Sequence, residues 1–212
     1  MTTTTVAFET SAGLVLEGRL AVPQDRPRGV AILCHPYPPA GGSMSNAMLP
    51  SLQRALEEAG WAALRFNFRG VGRSEGSFDH GRGEVDDAAA ALAFAREHIP
   101  GVPCAVVGWS FGALVGLNAA RADTTVAAYI GIAPPVSAAP ELELPTVGAA
   151  RVAMRSLVIC GTADRFCETS DVRRLAADIG AEVRILDGAD HFFVGRLAEL
   201  GAIVTEFLIR DA

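Results

Sequence analysis

Cys104-Ala105-Val106-Val107-Gly108-Trp109-Ser110-Phe111-Gly112-Ala113-Leu114-Val115 is the stretch on which the reading of this chain turns. An apolar run leads into Gly-Trp-Ser-Phe-Gly, and a run of small apolar residues leads out. Cys104–Trp109 reads as a strand and Phe111–Arg121 as a helix. A serine at the joint, with glycine two places before and after it, predicts a sharp strand-to-helix turn. Such a turn strains the serine backbone and presents Oγ above the carboxyl ends of the strands, at the N-terminus of a helix. The plain alternative is a serine that caps the helix. The same G-x-S-x-G pattern recurs at Gly72-Arg73-Ser74-Glu75-Gly76. No helix follows there until Glu84, so Ser74 is expected to be a turn residue bonding its own backbone.

Outward from this joint, strand-like and helix-like stretches alternate. Thr4–Glu9 and Gly13–Val22 predict an antiparallel hairpin. Val30–Cys34 is a short continuous apolar run, as in a strand buried on both faces. A helix is expected over Asn46–Ala59, capped by Gly60, then a strand over Trp61–Phe68 and a glycine-rich loop from Arg69 to Gly83. Glu84–His98 carries acids in its first turn and Arg96 and His98 in its last, the charge order that a helix dipole prefers. Val126–Ile132, Leu157–Cys160 and Glu182–Leu186 read as strands. Thr169–Ile179 and about Phe193 to Arg210 read as helices, and Ala133–Arg151 as a Pro- and Ala-rich connection. This alternation predicts an α/β architecture: a mostly parallel sheet of seven to eight strands with helices on both faces. With 212 residues and no repeat or linker, one domain is expected over residues 1–212.

Half of the residues are hydrophobic and a fifth are charged, so a sizeable core can form. The net charge of −6 comes without any basic stripe, which argues against nucleic acid as a partner. No apolar run reaches the roughly 18 residues of a membrane span, and Met1–Thr5 does not read as a signal peptide. A cytoplasmic protein, monomeric or homodimeric, is expected. Cys34, Cys104, Cys160 and Cys167 form no C-x-x-C pair and read as small core hydrophobes. Cys167 stands apart because it follows Asp164 closely in a loop. Neither a cofactor nor a metal is expected.

An activated serine needs a base in hydrogen-bond reach, and the base needs an acid to fix its tautomer. Behind a strand-to-helix elbow the order along the chain is Ser, then Asp or Glu, then His. His191 is the only histidine after Ser110. The acid is assigned to Asp164, which follows the strand Leu157–Cys160 at the carboxyl end of the sheet, where ligands gather. Asp187 and Asp190 compete. Asp187 is expected to end the last strand, and Asp190 is next to His191 in sequence, where the two side chains rarely meet. The oxyanion of acyl transfer needs two N–H donors. One is expected from Phe111. The other should come from His35-Pro36-Tyr37-Pro38-Pro39, where the prolines have no N–H and Tyr37 is the natural donor. His35 precedes proline and reads as a loop-fixing residue.

These residues resemble a known group. His35-Pro36-Tyr37-Pro38-Pro39-Ala40-Gly41-Gly42-Ser43-Met44-Ser45-Asn46 is similar to the H-P-x-P-x-x-G-G-x-x-x-N loop of small, lidless bacterial α/β hydrolases related to dienelactone hydrolases. Arg65–Gly76, Gly108–Gly112 and Gly188–Phe193 match further blocks of that group. The resemblance covers about residues 30 to 195. It implies an α/β-hydrolase fold without a substantial lid and esterase- or thioesterase-like chemistry without a cofactor. Dienelactone hydrolases proper use a cysteine nucleophile, whereas this chain has Ser110, so a dienelactone substrate is doubtful.

The expected activity is hydrolysis of a small carboxylic ester or thioester through an acyl-enzyme. Acyl transfer to another acceptor and a non-catalytic ligand-binding or scaffold role are the alternatives. The short connection after Val126–Ile132 predicts a shallow, open site. Its walls are expected from Tyr37, Met44, Phe111, Pro134–Pro145 and Phe192.

Overall fold

In the computed structural model, which describes residues 2–143 and 154–210, the apolar runs become the strands of one sheet. The elements are β1 (Thr2–Glu9), β2 (Val15–Val22), β3 (Val30–Cys34), α1 (Met48–Glu58), β4 (Ala62–Phe66), α2 (Arg82–His98), β5 (Cys104–Trp109), α3 (Phe111–Ala122), β6 (Val126–Ile132), β7 (Arg155–Gly161), α4 (Thr169–Ile179), β8 (Glu182–Leu186) and α5 (Leu197–Ile209). The eight strands lie in the order β1-β2-β4-β3-β5-β6-β7-β8. β1, β2 and β4 pair antiparallel, and every later pairing is parallel. β3 and β5 are buried along their whole length, which is why they read as unbroken apolar runs.

Right-handed crossovers decide which face each helix covers. The chain steps from β3 to β4 in one direction, then returns past β3 to β5 and continues outward to β8. α1 therefore lies on one face, where α5 packs against it, and α2 and α3 pack together on the other. The reversal leaves a crevice beyond the carboxyl ends of β3 and β5, the position where open α/β sheets bind ligands. Ser110 follows β5 and the His35–Asn46 loop follows β3, so the topology brings these two segments together.

Several boundaries differ from the expected ones. α1 starts at Met48 because Asn46 Oδ1 accepts the Ser43 N–H at 2.6 Å and closes a turn before the helix. α5 starts at Leu197 rather than near Phe193. Phe193 has φ 52° and is fully buried, and the Asp190 carboxylate holds the N–H groups of Phe192 and Val194 at 3.1 Å. Those bonds commit the segment to a loop. In the connection after β6, Val136–Glu141 forms a 3-10 turn. Its later part, from 144 to 153, lies outside the described residues. Among the described residues, no helix is long and apolar enough to cross a membrane.

The Arg69–Gly81 loop is fastened to α2 by charge. Arg69 donates through Nε and its N–H groups to Asp87, with the shortest contact at 2.7 Å, and the Arg69 backbone N–H reaches Asp87 Oδ2 at 2.8 Å. The Asp87 side chain is fully buried. Glu84 takes the N–H groups of Asp79 and Gly81 at 2.9 and 2.8 Å. Removing one partner of a buried pair strands the other without water. Asp87→Ala is therefore expected to cost about 3–5 kcal/mol of stability, measured as the drop in unfolding free energy in urea.

Candidate active site

Ser110 occupies the turn between β5 and α3 with φ 56° and ψ −122°. Its N–H donates to Ile132 O on the neighbouring strand at 2.8 Å. Ser110 makes no side-chain capping bond, so the helix-cap reading does not hold. The two glycines of the motif answer to packing. A Cβ on Gly108 would stand 2.2 Å from Gly112 O, and one on Gly112 would stand 2.3 Å from Cys34 O and 2.5 Å from His35 O. Backbone atoms cannot yield at such distances, so α3 begins in direct contact with the end of β3.

His191 Nε2 lies 3.0 Å from Ser110 Oγ. His191 Nδ1 lies 2.8 Å from Asp164 Oδ2 and 3.1 Å from Oδ1. The Asp164 side chain is fully buried and that of His191 is 9% exposed. Asp164 Oδ1 also accepts the N–H groups of Phe166 and Cys167 at 2.8 and 3.0 Å. The carboxylate thus orients the ring through Nδ1–H and leaves Nε2 free to accept a proton from the serine. Ser110, His191 and Asp164, the three expected residues, meet in this one chain of contacts.

The competing residues have other partners. Asp187 accepts a hydrogen bond from Thr162 Oγ at 3.0 Å, and the same Oγ takes the Gly188 N–H at 2.7 Å. Asp190 shapes the histidine loop through the two bonds described above. Ser74 is buried, and its Oγ donates to Asn67 O at 2.7 Å and accepts the Glu17 N–H at 3.1 Å. Its side chain ties strands rather than its own turn.

Tyr37 and Phe111, the two expected N–H donors, both line the crevice above Ser110. Phe111 starts α3, and the first N–H groups of a helix have no intrahelical acceptor. The Tyr37 N–H has no hydrogen-bond partner among the described residues. The Tyr37 ring packs edge-on against Phe111 and Phe78, at 5.6 and 5.3 Å between centroids. His35 is fully buried beneath this loop. Its Nδ1 is 2.7 Å from Pro36 O, and its Nε2 accepts the Phe68 N–H at 3.1 Å. This pair of contacts assigns the proton to Nδ1. It also fixes the peptide plane that carries the Tyr37 N–H, as expected of a loop-fixing residue.

The cavity above Ser110 holds about 380 Å³, at the small end for small-molecule sites. Tyr37, Trp109, Phe111, Leu142, Phe166 and Phe192 supply its apolar walls, and no charged side chain lines it among the described residues. Phe166 and Phe192 stand at the open rim, 59% and 55% exposed. Met44, expected in the wall, is not part of it. Its N–H is drawn in by Asn67 Oδ1 at 2.8 Å and its carbonyl by Arg65 at 2.9 Å, which leaves the side chain buried. Pro135 and Ala138 line the cavity from the connection after β6, while Pro145 lies outside the described residues.

Sequence reasoning missed three supports. Trp109 Nε1 donates to His191 O at 3.1 Å and so ties the residue before Ser110 to the histidine loop. Phe166 packs against the His191 ring at 4.9 Å. Cys160 and Cys167 meet behind Asp164, with Cys160 Sγ 3.1 Å from Cys167 O. The neighbouring Cys160 side chain, together with burial, holds the Cys167 thiol above its ordinary range. None of these three supports has a local signal, whereas the Asp190 turn does, an aspartate two residues before an N–H that it can hold.

Comparison with known proteins agrees with the fold. A family model described as the alpha/beta hydrolase fold matches residues 31–150. An uncharacterised protein of Rickettsia prowazekii is 30% identical over 92% of this chain and 84% of its own length. A solved structure described as an alpha-beta serine hydrolase homologue, from Coxiella burnetii, is 33% identical. It covers 98% of both chains with a TM-score of 0.86. An α/β serine hydrolase without a lid, from Xanthomonas campestris, is 32% identical. The match covers 98% of this chain and 94% of that one with a TM-score of 0.83.

Burial lowers the His35 pKa from 6.5 to about 4, against a smaller opposing effect of the bond to Pro36 O. The unfolded chain binds the proton first as pH falls, so the stability this group contributes is present above pH 6.5 and is lost on the way down to about 4. The loss amounts to about 3 kcal/mol. The unfolding free energy of the wild type is expected to fall more steeply over that window than that of His35→Gln. Equal slopes in urea titrations at stepped pH would remove His35 from the account.

Proposed function

We propose that this chain, which belongs to the alpha/beta hydrolase fold family, is a serine hydrolase that cleaves small, uncharged carboxylic esters or thioesters through an acyl-enzyme. The observation that carries this reading is the line of contacts Ser110 Oγ to His191 Nε2 at 3.0 Å and His191 Nδ1 to Asp164 Oδ2 at 2.8 Å. In the proposed reaction His191 takes the Ser110 proton as Oγ attacks the carbonyl carbon. The oxygen that gains charge is met by the N–H groups of Phe111 and Tyr37. His191 then returns the proton to the departing alkoxide or thiolate, leaving the acyl group on Ser110. Water enters by the reverse route, activated by the same histidine.

Asp164 acts by orientation and charge. It holds the Nδ1–H tautomer in the resting state and stabilises the imidazolium that forms. The apolar, uncharged lining favours a neutral acyl group, because a carboxylate there would lose its hydration without a cation to replace it. The open rim suits an ester whose alcohol or thiol side projects into solvent.

Turnover of a panel of neutral aryl and short alkyl esters and thioesters tests this. Ser110→Ala is expected to abolish it with the fold retained. Asp164→Asn should lower kcat by about 10⁴-fold, whereas Asp187→Asn should stay close to wild type. Wild-type rates in Ser110→Ala, or the large loss in Asp187→Asn instead, would overturn the assignment.

A further inference from the structure

We propose that Cys160, Cys167 and Asp164 form a binding site for a thiophilic divalent cation of the Zn²⁺ and Cd²⁺ class, and that occupation of this site switches the hydrolase off. The switch rests on the reading of Asp164 as the orienting acid; the binding site does not. One sulfur from each cysteine and one carboxylate oxygen lie within 4.8 Å of one another. Cys160 is the penultimate residue of β7, Cys167 precedes α4, and Asp164 stands on the loop between them. Both cysteines are buried, at 0% and 1% exposure.

A purely apolar role accounts poorly for this arrangement. The Cys160 thiol is directed at the carbonyls of Gly161 and Cys167, at 3.3 and 3.1 Å, rather than packed against hydrocarbon alone. Two sulfurs with a carboxylate match the ligand preference of Zn²⁺, which takes S and O donors in a tetrahedral shell and can complete it with water. Thr162, Ala163, Arg165 and Phe166 of the intervening loop are exposed, so the three ligands lie just beneath a surface loop.

Binding balances simply. Each thiol releases its proton to solvent, so two protons leave per cation, and no oxidation state changes. Asp164 gives a lone pair to the cation in place of the His191 Nδ1–H. The histidine then loses the group that fixes its tautomer, which is the defect that Asp164→Asn creates by another route. Cys167 also carries the N–H that Asp164 Oδ1 accepts at 3.0 Å, so cation and carboxylate share one short segment of chain.

The test uses the full chain after chelator treatment. Cd²⁺ is titrated while sulfur-to-metal charge-transfer absorption is followed, in wild type, Ser110→Ala, Cys160→Ala and Cys167→Ala. One equivalent should produce the band in wild type and in Ser110→Ala, and each cysteine variant should weaken or abolish it. Zn²⁺ inhibition of ester turnover is measured in parallel, each variant being scaled to its own metal-free rate. Either cysteine substitution should weaken inhibition by about tenfold or more. Absence of the band in folded wild type, or inhibition as strong in both cysteine variants, would overturn the proposal. Should the chain turn over no ester, the Cd²⁺ band and its loss in the variants still decide the ligand set, so the two failures are separable.

Discussion

The strained turn at Ser110 is the constraint on which the rest of the structure depends. Holding a non-glycine residue at φ 56° costs on the order of 1–3 kcal/mol and persists only where surrounding contacts enforce it. Here the Ser110 N–H is taken by β6, and α3 begins against the carbonyls of Cys34 and His35 with only hydrogen atoms between. The same contact that forces the turn also brings the loop after β3 beside Oγ. One close approach of backbone to backbone thus sets both the serine and the N–H groups that flank it.

Around that fixed point the remaining loops are held by polar ties rather than by apolar packing alone. His35 orients the Pro36–Tyr37 peptide from below, and Asn67 and Arg65 draw the Met44 backbone toward the sheet. Trp109 reaches the carbonyl of His191, so the histidine loop is bound to the strand that delivers the serine. Asp190 gives that loop its shape, and Asp164 is itself anchored by two backbone N–H groups. The buried ties, from Asn67 to the Met44 N–H and from Trp109 to the His191 carbonyl, satisfy polar groups that would otherwise cost about 1–3 kcal/mol each. Rigidity at the site is therefore a by-product of satisfying these groups, and it suits a reaction that needs atoms preorganised within a few tenths of an ångström.

Much of this was legible in the sequence, for physical reasons. Continuous apolar runs such as Val30–Cys34 announce strands buried on both faces, and the glycines around Ser110 announce a close approach. Prolines at 36, 38 and 39 left Tyr37 as the available N–H donor in that stretch. What escaped were contacts between distant segments. Nothing local ties Trp109 to His191, 82 residues away, or draws Met44 inward through Asn67. Met44 was read as a wall because it is apolar and sits in the right loop, but the loop's backbone bonds turn it inward. The last helix was begun too early, at Phe193, because Asp190 takes the backbone there into a loop: its carboxylate holds the N–H groups of Phe192 and Val194 and its carbonyl that of Phe193. Cys160 and Cys167 meet only because a short loop folds back on the end of β7, and their spacing alone does not announce it.

The central claim is that Ser110 is activated by His191, and the most direct measurement of it needs no substrate. A fluorophosphonate reacts with an activated serine hydroxyl and stays bound, so the labelled residue can be read by peptide mass spectrometry. The account predicts label on Ser110 in the wild type, its loss in His191→Ala, and no label on Ser74. A folded wild-type protein that takes no label, or label on Ser110 at the same rate without His191, would contradict it.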